Sequence, residues 1–160
     1  ILIEAMSTSP ENNFLKHLST GLKADSLAKT LELAQLLART IPENTVLALE
    51  GDLGAGKTTF MKGMALEWGI EGPILSPTYN LYFQYSGKTR NLVHLDAYRL
   101  QGEEDANNLL IEEFLIEPWC LAIEWPSKAA CLITPQCWHL TIECTGEESR
   151  RFSLRIPEAQ

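Results

Sequence analysis

Apolar residues along the chain first follow a helical spacing and then a strand-like run. Asp25 or Ser26 can cap a helix that ends before Pro42. Its apolar positions are Leu27, Leu31, Leu33, Ala34, Leu37 and Ala38. Residues 45–50 are a short apolar run typical of a buried strand, and a second helix is predicted to begin at Lys57. The pattern therefore predicts a helix, a buried strand and another helix in succession.

Later segments continue the alternation. Strand-like patterns, alone or after a loop, occupy residues 76–85, 91–95, 120–123, 138–144 and 151–156. The second of these strands ends at Asp96 and the third at Glu124, while Gly87 and Gly146 are predicted to turn hairpins. Residues 103–117 are acidic with spaced apolar positions, which is typical of short surface helices. Together these elements predict an α/β fold with a largely parallel, mixed central sheet flanked by helices.

The length and composition fit one domain. The chain has 160 residues, 45% of them hydrophobic, which suffices to bury a core without metals or cross-links. We expect a single domain over residues 1–160, with residues 1–20 extended or in part foreign to the natural protein. Residues 1–5 are acidic and lack the basic flank of a signal peptide, and no apolar stretch approaches the roughly 20 residues of a membrane span. We therefore expect a cytoplasmic protein with no membrane association.

The charge balance argues against direct binding to nucleic acid. The formal net charge is −8, so the surface as a whole should repel a phosphate backbone. Arg150, Arg151 and Arg155 form a local basic cluster, which is either a small binding patch or a solvated strand face. Any contact with RNA is expected to run through a partner protein.

The four cysteines are Cys120, Cys131, Cys137 and Cys144. They form no C-x-x-C pair, and we interpret them as buried, reduced thiols. The alternative is a zinc site built from Cys137, His139 and Cys144. It is disfavoured because structural zinc usually takes ligand pairs that lie closer in sequence.

Residues 51–58 satisfy the P-loop pattern G-x-x-x-x-G-K-[ST] between a predicted strand and a predicted helix, the context that the motif requires. Glycines let successive N–H groups point inward, and the helix N-terminus adds its positive end, so that the loop can cradle phosphates. The cradle residues are Asp52, Leu53, Gly54, Ala55, Gly56, Lys57, Thr58 and Thr59. The alternative is a glycine turn that only caps a helix. We predict a P-loop NTPase fold that binds ATP with Mg²⁺.

Three residues of this loop have predicted roles in binding the nucleotide. Lys57 is expected to bridge the β- and γ-phosphates, and the hydroxyl of Thr58 is placed to hold Mg²⁺. Thr59 is placed to reach the α-phosphate side of the cradle.

Two carboxylates are candidates to complete the site. Asp96 and Glu124 each follow a predicted strand, at the edge where ligands bind in open α/β sheets. One acid can hold the metal while the other orients water, although either alone could be a helix cap or a surface carboxylate. With strand alternation His94 shares a face with Asp96, and we interpret it as a core histidine.

Ser76-Pro77-Thr78-Tyr79 lies between the loop helix and the strand that ends at Asp96. P-loop proteins often have a segment there that senses the γ-phosphate. Thr78 is therefore a candidate to reach the metal or the water. A plain turn is the alternative.

Four motifs stand in order: G-D-L-G-A-G-K-T-T from Gly51, S-P-T-Y from Ser76, H-L-D-A-Y-R from His94 and I-E-W-P from Ile123. Together they resemble the bacterial TsaE (YjeE) family, over about residues 26–155. The resemblance implies a Mg²⁺-dependent ATPase that is slow alone and monomeric when isolated. It also implies action with two partners, a TsaD-like transferase and a TsaB-like subunit. Their complex forms threonylcarbamoyladenosine at position 37 of tRNAs that read ANN codons.

The resemblance also implies roles for single residues. Thr58 and Glu124 would be the Mg²⁺ ligands, and Asp96 would be the catalytic acid that orients water. Together with Lys57 and Thr78, which their own motifs mark, Asp96 makes up the predicted catalytic set. At the nucleotide's edge, Trp125 would be an aromatic contact. The adenine would lie between residues 26–30 and Arg150 or Arg151.

Three other functions share the loop. A small nucleotide kinase needs arginines in a lid, and residues 101–127 contain neither Lys nor Arg. A GTPase is disfavoured because no N-K-x-D or T-K-x-D tetrad is present. A nucleotide-gated assembly module, in which turnover is incidental, stays open on the sequence alone.

Overall fold

The computed structural model describes residues 9–158, which form one seven-stranded sheet flanked by helices. The strands are β1 (Leu22–Ala24), β2 (Thr45–Glu50), β3 (Tyr82–Tyr85), β4 (Asn91–Asp96), β5 (Trp119–Glu124), β6 (Trp138–Cys144) and β7 (Arg150–Arg155). The α-helices are α1 (Pro10–Thr20), α2 (Leu27–Thr40), α3 (Lys57–Glu67) and α4 (Glu103–Asn108), and two 3₁₀ helices span Ile111–Phe114 and Pro126–Leu132.

The sheet has a parallel centre and antiparallel edges. Its strand order is β1-β7-β6-β2-β5-β4-β3. Strand β2 pairs in parallel with β5 and β6, and β4 pairs in parallel with β5. The outer pairs β1–β7, β6–β7 and β3–β4 are antiparallel. The predicted α/β fold with a mixed sheet is confirmed, although the largely parallel arrangement applies to the four central strands.

The two long helices before and after β2 pack against each other. Ser26 caps α2 by accepting a hydrogen bond from the Lys29 amide at 3.2 Å, as one of the two expected caps. Gly63 of α3 lies so close to α2 that an added Cβ would meet the Cβ of Ala34 at 2.5 Å. The small residues therefore let the backbones of α2 and α3 approach, which fixes α3 over one face of the sheet.

Each face of the sheet has its own hydrophobic core. Leu92 of β4 belongs to the cluster that includes α2 and α3, whereas Val93 and Leu95 belong to the cluster under α4 and the 3₁₀ helices. Because strand side chains alternate between faces, His94 and Asp96 lie on the α3 face with Leu92. This places both polar residues on the same side of the sheet as the helix that follows the glycine-rich loop.

The expectation of an extended N-terminal segment is wrong for residues 10–20. They form α1, where an extended segment was expected within residues 1–20; residues 1–8 lie outside the described part of the chain. The Ser9 side chain caps α1 and Pro10 occupies its first turn, both of which favour a helix start. Leu18 is fully buried in this helix, and Phe14 and Leu15 are partly buried against the same core.

The prediction that the cysteines are buried thiols is confirmed for two of the four. Cys120 and Cys137 are buried, whereas Cys131 and Cys144 are exposed, and all four are free. Within residues 9–158 no group of three His, Cys, Asp or Glu side chains is arranged to hold a metal, which removes the alternative zinc site. No helix in this part of the chain has the length and apolar character to cross a membrane.

Candidate active site

The glycine-rich loop joins the central strand β2 to α3. Gly56 has a φ of 101°, a left-handed conformation that disfavours side chains, and it directly precedes the helix. At the other end, a Cβ on Gly51 would lie 2.7 Å from the carbonyl oxygen of Ile142 on β6. Glycine is therefore required at both ends of the loop, once for conformation and once for space.

The N-terminus of α3 opens into the loop without a capping side chain. The first N–H groups of a helix have no intrahelical partners, and here they belong to Lys57, Thr58 and Thr59. The helix dipole places partial positive charge at the same end. Free amides and a positive helix end together form an anion-binding site.

Lys57 lies folded across its own loop and is 8% exposed. Its Nζ donates to the carbonyl oxygen of Gly51 and, at 3.5 Å, to that of Asp52. The ammonium also lies 5.2 Å from the ring centroid of Trp125, within the range of a cation–π contact. Phosphate oxygens are stronger acceptors than backbone carbonyls because they are charged. A phosphate in the loop would therefore replace these carbonyl oxygens as the acceptor for the Lys57 ammonium.

Trp125 follows β5 in a left-handed conformation with φ of 55°, which is unusual for a bulky residue. Its ring lies against that of Tyr98, with centroids 5.0 Å apart and the planes tilted by 54°. The backbone turn and the aromatic contact hold the indole beside Lys57. The sequence-predicted aromatic edge of the site is thus adjacent to the predicted phosphate-binding lysine.

The two candidate acids end neighbouring parallel strands. Asp96 on β4 and Glu124 on β5 are register partners, and they are 5% and 4% exposed. Strand β5 in turn pairs with β2, which leads into the loop. The structure therefore brings two buried carboxylates to the loop end of the sheet, as the strand-end positions predicted.

Both carboxylate oxygens of Asp96 accept hydrogen bonds. Oδ1 accepts from the backbone amide of Tyr98 at 3.0 Å, and Oδ2 accepts from Oγ1 of Thr78 at 3.2 Å. Thr78 also shares a 2.8 Å hydrogen bond with Ser76, and Arg99 donates to the Thr78 carbonyl oxygen at 3.1 Å. The S-P-T-Y segment is thus tied to the acid by side chains, which a plain turn would not require.

Thr58 lies in the first turn of α3 and is partly buried. With Glu124 and Asp96 it would offer a hydroxyl and carboxylate oxygens, the hard ligands that Mg²⁺ prefers. Mg²⁺ in nucleotide sites usually takes only one or two protein ligands and completes its shell with phosphates and waters. This donor set therefore fits Mg²⁺, although the described residues alone form no three-ligand cluster.

Arg150 links the loop to the turn between β6 and β7. Its Nε donates to the carbonyl oxygen of Ala55 at 2.8 Å and its Nη2 to that of Gly54 at 3.5 Å. Its Nη1 donates to carbonyl oxygens of the turn, at Gly146, Glu147 and Ser149. Most of its donors are occupied by backbone, so the structure places this predicted nucleotide contact as a brace of the loop. Arg151 instead donates to Thr20 at the end of α1.

A cleft and a smaller cavity adjoin the loop. A cleft of about 780 Å³ lies between loop residues 50–55, the Trp125–Ser127 turn and the end of β6. A smaller cavity of about 160 Å³ lies on the other side and is lined by Leu27, Thr30, Gly56, Thr59 and Arg150, among others. The smaller cavity joins the start of α2 to the loop, which is where the resemblance would place the adenine.

The residues with shifted pKa values, Cys120, Cys137 and His139, lie in or directly before strands β5 and β6. Burial raises the pKa of the Cys120 thiol to about 12 and also raises that of Cys137. The pKa of His139 is lowered by burial first and by the charge of Arg155 second, with Glu50 opposing both. Thiolates are therefore disfavoured at both buried cysteines.

Several residues at this site had no role in the sequence-based hypothesis. Tyr98 and Arg99 stand inside the H-L-D-A-Y-R motif, but their contacts with Trp125 and Thr78 join segments that are distant in sequence. The motif marked them, while their partners could be found only from the fold.

Comparisons with known proteins agree with these motifs. The family model described as "Threonylcarbamoyl adenosine biosynthesis protein TsaE" matches residues 24–152, a range that contains the loop, both acids and Arg150. A Nostoc sp. protein named tRNA threonylcarbamoyladenosine biosynthesis protein TsaE is 44% identical over 102 residues, which cover 62% of this chain and 63% of that relative. The Treponema pallidum protein of the same name is 37% identical, over 81% of this chain and 95% of its own length.

A solved structure has the same fold. The crystal structure of Bacillus subtilis YdiB superimposes with a TM-score of 0.69 at 28% sequence identity. The superposition covers 86% of this chain and 85% of that chain, so the likeness extends over most of both molecules.

Proposed function

The chain belongs to the TsaE family of threonylcarbamoyl adenosine biosynthesis proteins, and from this premise we propose that it is an ATPase of that pathway. It would bind Mg-ATP in the loop of residues 51–59 and hydrolyse it slowly. The observation that supports this best is the placement of Asp96 and Glu124 at the ends of β4 and β5, beside the strand that leads into the loop. A glycine turn with no ligand would not need two buried acids there.

In this proposal, separate groups of the chain bind the phosphates and the metal. The amides at the start of α3 and the ammonium of Lys57 hold the phosphates. Thr58 and Glu124 would hold Mg²⁺, which when bound supplies charge neutralisation between the phosphate oxygens. Trp125 limits the movement of Lys57 through their 5.2 Å contact.

Hydrolysis needs a group that orients water toward the terminal phosphate. Asp96 fits this role because it is buried and held from two sides by Thr78 and Tyr98. The arginines near the loop do not serve as an arginine finger, since Arg150 and Arg99 already donate to backbone carbonyls. Slow turnover by the isolated chain is therefore expected, with acceleration by partner proteins.

The proposal also names the partners of the chain and the product of their complex. The chain would act with a TsaD-like transferase and a TsaB-like subunit in forming N6-threonylcarbamoyladenosine at position 37 of tRNAs that read ANN codons. The family match supports a role in this biosynthesis. The net charge of −8 supports contact with tRNA through the partners only.

A nucleotide-gated assembly module is the second candidate. It is favoured by apolar side chains exposed around the loop, where Leu53 is 93%, Tyr79 85% and Tyr98 55% exposed. Surface patches of this kind often contact partner proteins. In this alternative, bound nucleotide would change the affinity for partners and turnover would be incidental.

The test is ATP hydrolysis by the purified chain with and without the two partner proteins and tRNA. Lys57→Ala and Glu124→Ala remove a phosphate contact and a metal ligand, while Lys62→Ala, at an exposed position of the same helix, is the matched control. Partner-stimulated turnover that both site variants lose and Lys62→Ala keeps supports the ATPase. Nucleotide binding without turnover under any condition favours the assembly module instead.

A further inference from the structure

His94 is a fully buried polar residue that the proposed hydrolysis does not use. Its side chain is 0% exposed, and neither ring nitrogen has a hydrogen-bond partner among the described residues. An imidazole buried without partners costs free energy of folding. The carboxylate of Glu124 lies nearby, with its Oε1 3.5 Å from Nε2 of His94.

The sheet register places His94 two residues before the Asp96–Glu124 pair, farther from the loop end of the sheet. On β4, His94 pairs with Ala122 of β5, and Asp96 pairs with Glu124. These four side chains share the α3 face of the sheet, since Ala122 belongs to the hydrophobic cluster on that face. The imidazole therefore lies on the side of the Glu124 carboxylate away from the glycine-rich loop.

The two acids differ in what holds them. The Asp96 carboxylate accepts hydrogen bonds from Thr78 and Tyr98, so its orientation is fixed. For the Glu124 carboxylate, His94 is the one polar side-chain contact within residues 9–158. An acid that binds a metal needs such an outer contact, because it fixes which oxygen lone pairs face the ion.

We propose that His94 is a positioning residue that donates its Nε2–H to Glu124 and orients this carboxylate for Mg²⁺. The inference rests on the proposed function, in which Glu124 is a metal ligand. The present 3.5 Å separation exceeds the roughly 2.7–3.2 Å of a formed hydrogen bond. Contacts of this kind are often long without ligand and tighten in the complex.

The experiment measures how much Mg²⁺ is needed for tight binding of a fluorescent ATP analogue. His94→Gln keeps an amide N–H near the position of Nε2, whereas His94→Asn has its amide near Nδ1 and does not reach Glu124. His94→Leu removes the donor altogether. Loss of an outer contact typically weakens metal binding by about 10–100-fold. The Asn and Leu variants should therefore need that much more Mg²⁺, and the Gln variant should stay near wild type.

Unfolding stability separates the positioning role from a purely structural role of His94. Because the ring nitrogens have no other partners, His94→Leu should unfold no more readily than wild type. Reduced unfolding stability with an unchanged Mg²⁺ midpoint would overturn the proposal. If the Leu variant does not fold, the Gln and Asn pair decides, since equal Mg²⁺ midpoints in those two variants overturn it as well.

The outcomes also separate this inference from the function on which it rests. Analogue binding by wild type that does not depend on Mg²⁺, or no binding at all, contradicts the proposed function. Mg²⁺-dependent binding by wild type that His94→Asn leaves unchanged contradicts only the role of His94. Affinity for the analogue in the presence of a chelator should be the same in all variants, because His94 is not placed against the phosphates.

Discussion

At the scale of single residues, Asp96 and Glu124 are neighbours with different surroundings. The Asp96 carboxylate is held by Thr78 and Tyr98, which suits a group that orients water. We predict that Asp96→Asn lowers kcat by about 10²–10⁴-fold, the usual contribution of a general base, with little change in nucleotide affinity. Single-turnover hydrolysis beside equilibrium binding checks this. An equal loss in both quantities would place Asp96 in binding instead of in the chemical step.

The thiols give a second prediction at this scale. Burial raises the pKa of Cys120 to about 12, and Cys137 is also buried with a raised pKa, so neither offers a reactive thiolate in the folded protein. Cys131 and Cys144 are exposed. A maleimide reagent at neutral pH should therefore modify two thiols quickly and the other two only after unfolding. Identification of the modified sites by mass spectrometry checks the assignment, and rapid labelling of Cys120 in the native state would contradict it.

At the scale of elements, the contact between α2 and α3 predicts that one Gly→Ala substitution in a helix destabilises the fold. Gly→Ala inside a helix normally stabilises by about 1 kcal/mol. At Gly63 the new Cβ would lie 2.5 Å from the Cβ of Ala34 and 3.0 Å from the carbonyl oxygen of Leu31. Overpacking costs about 1–3 kcal/mol, so Gly63→Ala should lower the free energy of unfolding in urea by about 1 kcal/mol.

The matched control uses the other side of the same contact. Ala34→Gly removes the methyl group that the new Cβ would meet, so the double variant should lose less stability than the sum of the two single variants. Additive effects would show that the helices separate without cost at this position. Helical content by circular dichroism should be unchanged in each case.

The pairing of β6 with β7 predicts a pH dependence. His139 lies opposite Arg155, and its pKa is lowered by burial and by that positive charge. The unfolded chain then binds the proton more readily, so the contribution of His139 to stability is complete above the ordinary histidine pKa of about 6.5 and falls as the pH decreases below it. His139→Gln should reduce the loss of unfolding free energy between about pH 7.5 and pH 5. Identical pH profiles for wild type and variant would contradict this.

The elements that local pattern predicts well are those with strong hydrophobic periodicity. The start of α2 at Ser26, the central strands and the loop that opens α3 follow from residues close in sequence. Helix α1 and the three-residue β1 were missed because their stability comes from packing on β7, which is more than 100 residues away. The same limit applies to Arg150, whose bonds to Gly54 and Ala55 depend on the sheet order.

The whole molecule adds a constraint that no single residue shows. Acidic residues outnumber basic ones, 21 to 13, and several arginines are already engaged. Arg90, for example, is buried against Trp68 and donates to the Pro42 carbonyl oxygen. In the basic cluster of Arg150, Arg151 and Arg155, Arg150 is likewise engaged, because it donates to the Ala55 carbonyl oxygen of the loop. The excess of acidic residues should therefore repel a phosphate backbone from the surface as a whole.

The last prediction follows from this electrostatic balance. The isolated chain should show no saturable binding to tRNA in a filter or anisotropy assay at about 0.15 M salt, since binding to phosphates depends on released counterions and on clustered positive charge. Arg151→Glu, at an exposed position of β7, should change nothing in this assay. In the presence of the two proposed partners the chain should join a tRNA-containing complex, detectable as a co-sedimenting species. Direct binding that weakens steeply with salt and is lost in Arg151→Glu would instead assign a nucleic-acid surface to β7, and contact through the partners would no longer be needed.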